Sequence, residues 1–423
     1  MPHHQTSSLT TACKLTATQE ITIHPNMGLA APTPHEIIPP NQPVSKQRYR
    51  PNTKLHYTLF TTHSISMALG QLKAKGWKQL TRNFPDTKVI IAIQGICAFG
   101  ARIGNTKQWS APTIYPNLAT AKADAELVSA EIITELSKNR LEMYSNITDL
   151  LTHYTASPLG LTEKADGTKR CIHHLSYPSD NVNAINSGIP EEFRSIVYSS
   201  IDDAVAAVQQ LGKGCTMIKH DFESAFRHIP ISPYNSPLLG FHWENKFYAK
   251  RLLPFGLWTA PYLFNLFAKV FHWILEEQLR KQNIPPHVIH YLDDFLIVIP
   301  PGYNPEQCSS TYSALFWQVG LIIKHSKDEE GTTASIAGLE FNSQKMVVRL
   351  PEKKLAEVHA IIANIRKLRS ALLLDIQKIT GYLNFVSFSK NYYMRPERPV
   401  HQTLRTLKTL TTNLDVASGD VAS

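Results

Sequence analysis

Two adjacent carboxylates, Asp293 and Asp294, lie in the run Val288-Ile289-His290-Tyr291-Leu292-Asp293-Asp294-Phe295-Leu296-Ile297-Val298-Ile299. The apolar stretches on both sides predict a hairpin whose strands enter the core and whose tip carries the two acids. An isolated Asp-Asp pair is ordinarily a solvated surface turn. Here the flanks draw ionised carboxylates toward an apolar interior, where an unpaired charge is unfavourable by several kcal/mol. A divalent cation offsets that cost, and Mg2+ favours one or two carboxylates together with substrate phosphates. A second segment, Met217-Ile218-Lys219-His220-Asp221-Phe222-Glu223-Ser224-Ala225-Phe226-Arg227, is an apolar strand that ends on a carboxylate, with an aromatic five residues later. Alone, a strand-end Asp is a turn former. With the Asp293-Asp294 hairpin it supplies the third carboxylate of a two-metal phosphoryl-transfer site. A third segment, Leu253-Pro254-Phe255-Gly256-Leu257-Trp258-Thr259-Ala260-Pro261, reads equally well as an ordinary helix entry or as a turn that lets backbone approach a ligand closely.

The elements that must position these residues are partly visible. Ser157 to Leu161, the polar turn Lys164 to Arg170, and the apolar Cys171-Ile172 predict a hairpin with a basic tip. Residues 119–143 predict a helix, with Leu127, Ile132, Ile133, Leu136 and Leu141 near one face. A further helix begins at Ile201, with Ser200 as N-cap and Asp202 and Asp203 favoured by the dipole, and ends near Gly212 and Gly214. A strand from Cys215 delivers Asp221. Two strands, Gly240 to Trp243 and Lys246 to Ala249, turn at Asn245. Helices are expected over 260–279 and 309–319, short strands near Leu321 and Leu339, and basic amphipathic helices over 351–373 and 375–386. Val89 to Ile93 fits a buried strand or part of a helix.

The chain has 423 residues, room for two or three domains at roughly 150 each. Lys and Arg outnumber Asp and Glu, 43 against 34, which favours a polyanionic partner without naming it. No apolar run approaches the ~18–20 residues of a membrane span. The five cysteines are widely separated and form no CxxC pair, which makes a zinc ribbon or a disulfide framework unlikely. No charged segment followed by an apolar core marks a secretory leader, so secretion is not expected. Residues 1–52 hold eight prolines among Thr, Ser, His and Gln, the composition of a disordered tail.

In order, the basic fingertip, the Asp221 segment, the Leu-Pro-Phe-Gly-Leu turn and the Tyr-x-Asp-Asp hairpin resemble a retroelement reverse transcriptase over residues 150–390. The wording of Ser157 to Leu161, Lys219 to Pro230 and Leu383-Asn384-Phe385 is most similar to DIRS-like (tyrosine-recombinase) retrotransposons of fungi. The resemblance implies an α+β right-hand polymerase, with fingers over 119–200, a palm with an antiparallel sheet over 201–345 and a helical thumb over 346–390. Residues 53–118 form a small region of unknown role, and 391–423 a tail too short for an RNase H domain.

The activity implied is RNA-directed DNA synthesis, with RNA or DNA template, primer and dNTPs as partners. No membrane is expected. Separate RNase H or recombinase proteins of the element would complete the set. Asp221 and Asp293 would bind two Mg2+ ions, with Mn2+ as a substitute, and Asp294 would support them. Lys327 corresponds to a lysine that protonates pyrophosphate, or else is a surface lysine. Lys164 and Arg170 would grip the triphosphate, although neighbouring Lys169 suits the role of Lys164. Phe226 would be the steric gate against a ribose 2′-hydroxyl, and Phe255 and Gly256 would line the nucleotide pocket. Tyr291 would touch the primer–template minor groove, or else is a packed strand aromatic. Gly338, Leu339 and Glu340 resemble the primer grip, although Ile336-Ala337 replaces its usual Phe-Leu opening. Lys353, Lys354, Arg366, Lys367, Arg369 and Lys378 would hold duplex phosphates. The alternatives are a catalytically silent, nucleic-acid-binding remnant of a retroelement, and a palm-fold RNA polymerase, against which an aromatic gate argues.

Overall fold

The computed structural model describes residues 71–146, 151, 153–164, 167–178, 183–196, 199–368 and 375–381. The proline-rich tail, Leu383-Asn384-Phe385, Arg369 and the tail over 391–423 lie outside the described residues, as do the side chain of Arg366 and residues 53–70 of the small N-terminal region.

The helices are α1 (Ala74–Leu80), α2 (Thr87–Phe99), α3 (Ala119–Ala123), α4 (Ala125–Ser137), α5 (Ile201–Leu211), α6 (Ala260–Lys281), α7 (Pro305–Val319) and α8 (Glu352–Leu368). The strands are β1 (Thr113–Ile114), β2 (Leu141–Tyr144), β3 (Thr155–Ala156), β4 (Leu159–Glu163), β5 (Lys169–His173), β6 (Thr216–Asp221) and β7 (Gly240–Trp243). They continue as β8 (Lys246–Lys250), β9 (His287–Tyr291), β10 (Asp294–Ile299), β11 (Glu329–Gly331), β12 (Thr333–Ile336), β13 (Leu339–Asn342) and β14 (Val347–Arg349).

The central sheet is wholly antiparallel, in the order β11-β6-β10-β9. Strand β10 is apolar at every position after Asp294 because both of its faces are covered. Phe295, Ile297 and Ile299 of β10 join Ile218 in a core with Trp77, Phe264, Phe267, Phe271 and Phe316, contributed by α1, α6 and α7. Leu296 and Val298 join Met217 and Ile289 in a second core with Val205 and Val208 of α5 and Phe341 of β13. Single-faced alternation is therefore absent from β10, and the sequence shows a continuous apolar run instead.

Residues 71–103 pack into the first core. The stretch Val89 to Ile93 is helical, within α2, which starts where Asp86 accepts from the N–H groups of Lys88 and Val89. Trp77 of α1 is fully buried, edge-on to Phe267 at 5.2 Å. A Cβ on Gly76 would stand 2.0 Å from the Gln318 carbonyl oxygen of α7, so only glycine permits this crossing.

A five-stranded sheet, β1-β3-β7-β8-β2, and the hairpin β4-β5 form a second α+β part, with α4 packed on them through Val128 and Ile132, and β12-β13-β14 form a separate three-stranded sheet. The helix expected over 119–143 is interrupted and ends at Ser137. Asn139 takes a left-handed φ of 55°, and the chain returns as β2, where Leu141 pairs with Lys250 and is buried in a sheet rather than on a helix face. Ile133 is exposed. Helix α7 begins at Pro305, earlier than expected, because Asn304 caps it. Near Leu321 there is no strand, only a single bridge between Ile323 and Phe222. Of the helical segment expected beyond Pro351, α8 and residues 375–381 are described.

Candidate active site

Strand β6 ends at Asp221, and in the pairing with β10 Asp221 stands opposite Asp294. On the other side of β10, Asp294 pairs with Tyr291, leaving Leu292 and Asp293 as a two-residue hairpin tip. Such tips require positive φ and usually take Gly or Asn; Leu292 holds φ 56°, a strained setting of about 1 kcal/mol or more. The pairing thus brings Asp221, Asp293 and Asp294 to one end of the sheet. Asp221 is buried. Burial pushes the Asp293 carboxyl above its ordinary range, and the like charges of Asp221 and Asp294 add to it.

Two lysines face this negative cluster. Lys327, in a short 3-10 turn (His325–Lys327), donates to Asp221. That bond, first among its causes, holds the Lys327 ammonium above its ordinary range. Lys219 Nζ lies 3.4 Å from Asp294 and 3.7 Å from Glu329. No three His, Cys, Asp or Glu side chains are gathered as metal ligands among the described residues. The donor set nevertheless suits a hard cation, since three carboxylates share one strand end and Asp293 remains the least compensated of them.

Five residues beyond Asp221, Phe226 sits in a 3-10 turn (Ala225–His228) entered through Ser224 at φ 55°. Its ring packs on Phe255 at 5.1 Å and on Phe264 at 5.8 Å between centroids. Arg170, on β5, places its guanidinium 5.8 Å from the Phe255 ring, so the basic hairpin reaches the Phe255-Gly256 turn. Lys169 is tied to Asp124 at 2.7 Å, whereas Lys164 is exposed at the turn. Gly256 needs its glycine, with φ 90° and a Cβ position 3.0 Å from the His173 carbonyl oxygen. A cavity of about 500 Å3 is lined by Phe226, Gly256, Leu257, Trp258, Pro261 and Arg194.

Tyr291 is partly exposed beside the carboxylates at the end of β9. Gly338 forms, with Ala337, a turn in which both residues have positive φ, linking β12 to β13. Leu339 is buried, and Glu340 accepts from Arg349 at 2.7 Å. Lys354 of α8 donates to the Gly338 carbonyl at 3.1 Å.

Sequence reasoning missed several residues that organise this site. Buried Asn186 donates to the Gly256 carbonyl at 2.8 Å and accepts from the Trp258 N–H at 3.0 Å, fixing the Phe255-Gly256 turn. Glu135 of α4 is buried among Arg140, Arg227 and Lys250, and Arg227 directly follows Phe226. An isolated Asn or Glu in sequence carries no sign of partners so distant.

An antiparallel central sheet with carboxylates at one strand end, backed by helices and joined to a basic hairpin, agrees with the α+β right-hand polymerase expected from the sequence. Residues 163–355 match the family described as reverse transcriptase (RNA-dependent DNA polymerase). Protein P of Duck hepatitis B virus (strain China) is 26% identical over 176 residues, 41% of this chain and 21% of the relative. The Gag-Pro-Pol polyprotein of Simian retrovirus SRV-2 is 23% identical over 271 residues, 62% of this chain and 13% of the relative. The chain therefore spans about a fifth or less of the length of these curated relatives. Among solved structures, the foamy viral protease-reverse transcriptase in complex with dsDNA aligns with a TM-score of 0.48 at 15% identity, covering 84% of this chain and 73% of that one.

Proposed function

We propose that this chain is an RNA-directed DNA polymerase that transfers nucleotidyl groups from dNTPs to a primer 3′-hydroxyl. The observation that carries the reading is the cross-strand placement of Asp221 and Asp294 with Asp293 at the adjoining tip. The oxygen donors of Asp221, Asp293 and Asp294 suit two Mg2+ ions, or Mn2+ in their place, which when bound neutralise charge on the attacking hydroxyl and on the triphosphate. Arg170 and Lys164 bind the triphosphate, Arg through its planar fork. Phe226 fills the space of a ribose 2′-hydroxyl, and Phe255 and Gly256 complete the pocket. Lys327 holds a proton for the departing pyrophosphate. Tyr291 and the turn at Gly338, Leu339 and Glu340 hold the primer end, and basic α8 contacts duplex phosphates through Lys353 and Lys354. The wording of Lys219 to Pro230 and Ser157 to Leu161 supports a retrotransposon origin in the DIRS-like fungal branch, acting in cytoplasm or nucleus beside separate RNase H or recombinase proteins. No helix among the described residues is long and apolar enough to cross a membrane.

Primer extension on oligo(dT)-primed poly(rA), with dTTP and Mg2+, tests this reading. Extension by the native chain, abolished by Asp293→Ala and by metal removal, is expected. Folded protein that binds the primed template without extending it would overturn the polymerase and leave a nucleic-acid-binding remnant.

A further inference from the structure

Three successive residues of β6 each take a partner from the segment that runs into β11. Lys219 faces Glu329, His220 Nδ1–H donates to Asp328 Oδ1 at 2.9 Å, and Asp221 accepts from Lys327. The pairing continues the antiparallel register that sets Glu329 against Lys219. Asp328 is held a second time, since its Oδ2 accepts from His325 Nδ1–H at 2.8 Å. Both oxygens of one carboxylate are thus bonded by imidazoles, one from the sheet and one from the turn that carries Lys327.

The two histidines differ in rigidity. His325 is largely exposed, whereas His220 is 5% exposed. The His220 ring lies flat on fully buried Tyr312 of α7, with centroids 4.5 Å apart and planes at 23°. Packing therefore fixes the direction of its N–H. Its Nε2 is buried and without a partner among the described residues, so the bond to Asp328 is its only polar function there. Lys327, by contrast, has a side chain 55% exposed. A long exposed lysine loses considerable rotamer freedom when held in one place. Pinning the adjacent backbone lowers that loss. The backbone bond from Lys324 N–H to the Asp221 carbonyl, 2.8 Å, secures the start of the turn, and Asp328 secures its end.

We propose that His220 is a positioning residue which, through Asp328, fixes the turn that presents Lys327 to the carboxylate site. The assignment rests on the polymerase reading above for its kinetic consequence. A ring in contact with Tyr312 but lacking the N–H cannot do this; a side chain with an N–H at the Nδ1 position can. His220→Phe keeps the ring and loses the donor. His220→Asn places an amide N–H near Nδ1 and loses the ring.

Single-turnover dTTP incorporation at varied dTTP separates the maximal rate from apparent nucleotide affinity. Since general acid catalysis contributes roughly 100-fold or more, His220→Phe is expected to slow the maximal rate on the order of 10-fold or more, with affinity changed less than about 2-fold. His220→Asn should stay within about 3-fold of the native rate. On a Lys327→Ala background His220→Phe should add little, because the two act as a unit. A slow His220→Asn beside a normal His220→Phe would overturn the proposal in favour of ring packing alone, as would full additivity with Lys327→Ala. Amine acylation of Lys327, read by peptide mass spectrometry, tests the same link without catalysis. Labelling should rise several-fold in His220→Phe and not in His220→Asn. If the native chain extends no primer, the polymerase reading falls while this labelling contrast still decides the positioning role; unchanged labelling in His220→Phe overturns it.

Discussion

Asp221 and Asp294 are cross-strand partners, and Asp293 at the adjoining tip feels both charges. Burial and these like charges raise the Asp293 pKa, so the folded chain favours the proton more than the unfolded chain does. Ionising the group therefore lowers stability as pH rises above the ordinary carboxylate range, and the penalty persists at neutral pH. Asp293→Asn removes the charge without changing shape. It should raise stability by about 1 kcal/mol, read as an increase in Tm, while primer extension falls on the order of 1000-fold. A variant less stable than the native chain would contradict this account of the tip.

Lys327 has the opposite sign. Its bond to Asp221 raises its pKa above the ordinary 10.5, so the ion pair persists below that value and is lost only as pH rises through the folded pKa. Incorporation by the native chain on a DNA template should show no alkaline fall up to about pH 9.5. Lys327→His should introduce an alkaline limb at about pH 6.5 to 7, where a free imidazole loses its proton. An unchanged profile in that variant would remove Lys327 from proton transfer.

Phe226 is packed against both Phe255 and Phe264, so its ring has little freedom to move, as the proposed gate against a 2′-hydroxyl requires. Phe226→Val opens that space. The ratio of rNTP to dNTP incorporation should rise by on the order of 10- to 100-fold, mostly through faster rNTP use. Equal discrimination in the variant would place the ring in the core alone.

The carboxylate hairpin was legible because short apolar runs flank Asp293 and Asp294 on both sides, and β10 contributes to the cores on both faces of the sheet. The N-cap at Ser200 was legible because its chemistry is local, and the structure completes it with a reciprocal bond from the Ser200 N–H to Asp203. Three-residue strands such as β11 and β14 are too short for a period. The break at Asn139 depends on a backbone setting that Asn tolerates but does not require. Residues that act through distant partners were invisible: His220 and Asp328 are 108 positions apart, and Asn186 and Gly256 are 70 apart.

Glu135 shows how such a distant contact reaches the site. Burial alone would raise its pKa, but Arg227, Lys250 and Arg140 outweigh that and hold it ionised. Lys250 is in turn pushed down to about 8 by burial, with Arg227 adding to the effect and Glu135 opposing it. Glu135→Gln leaves Arg227 and Lys250 buried with no carboxylate between them. Breaking a buried pair this way is unfavourable by about 3–5 kcal/mol, and release of the Lys250 proton should hold the loss near the lower figure. Urea denaturation should show the midpoint falling accordingly. Because Arg227 adjoins Phe226, the variant should also lose sugar discrimination before it loses template binding. A variant as stable as the native chain would mean that Arg227 and Lys250 find other partners, and the anchoring of Phe226 would then have to be sought elsewhere in the turn.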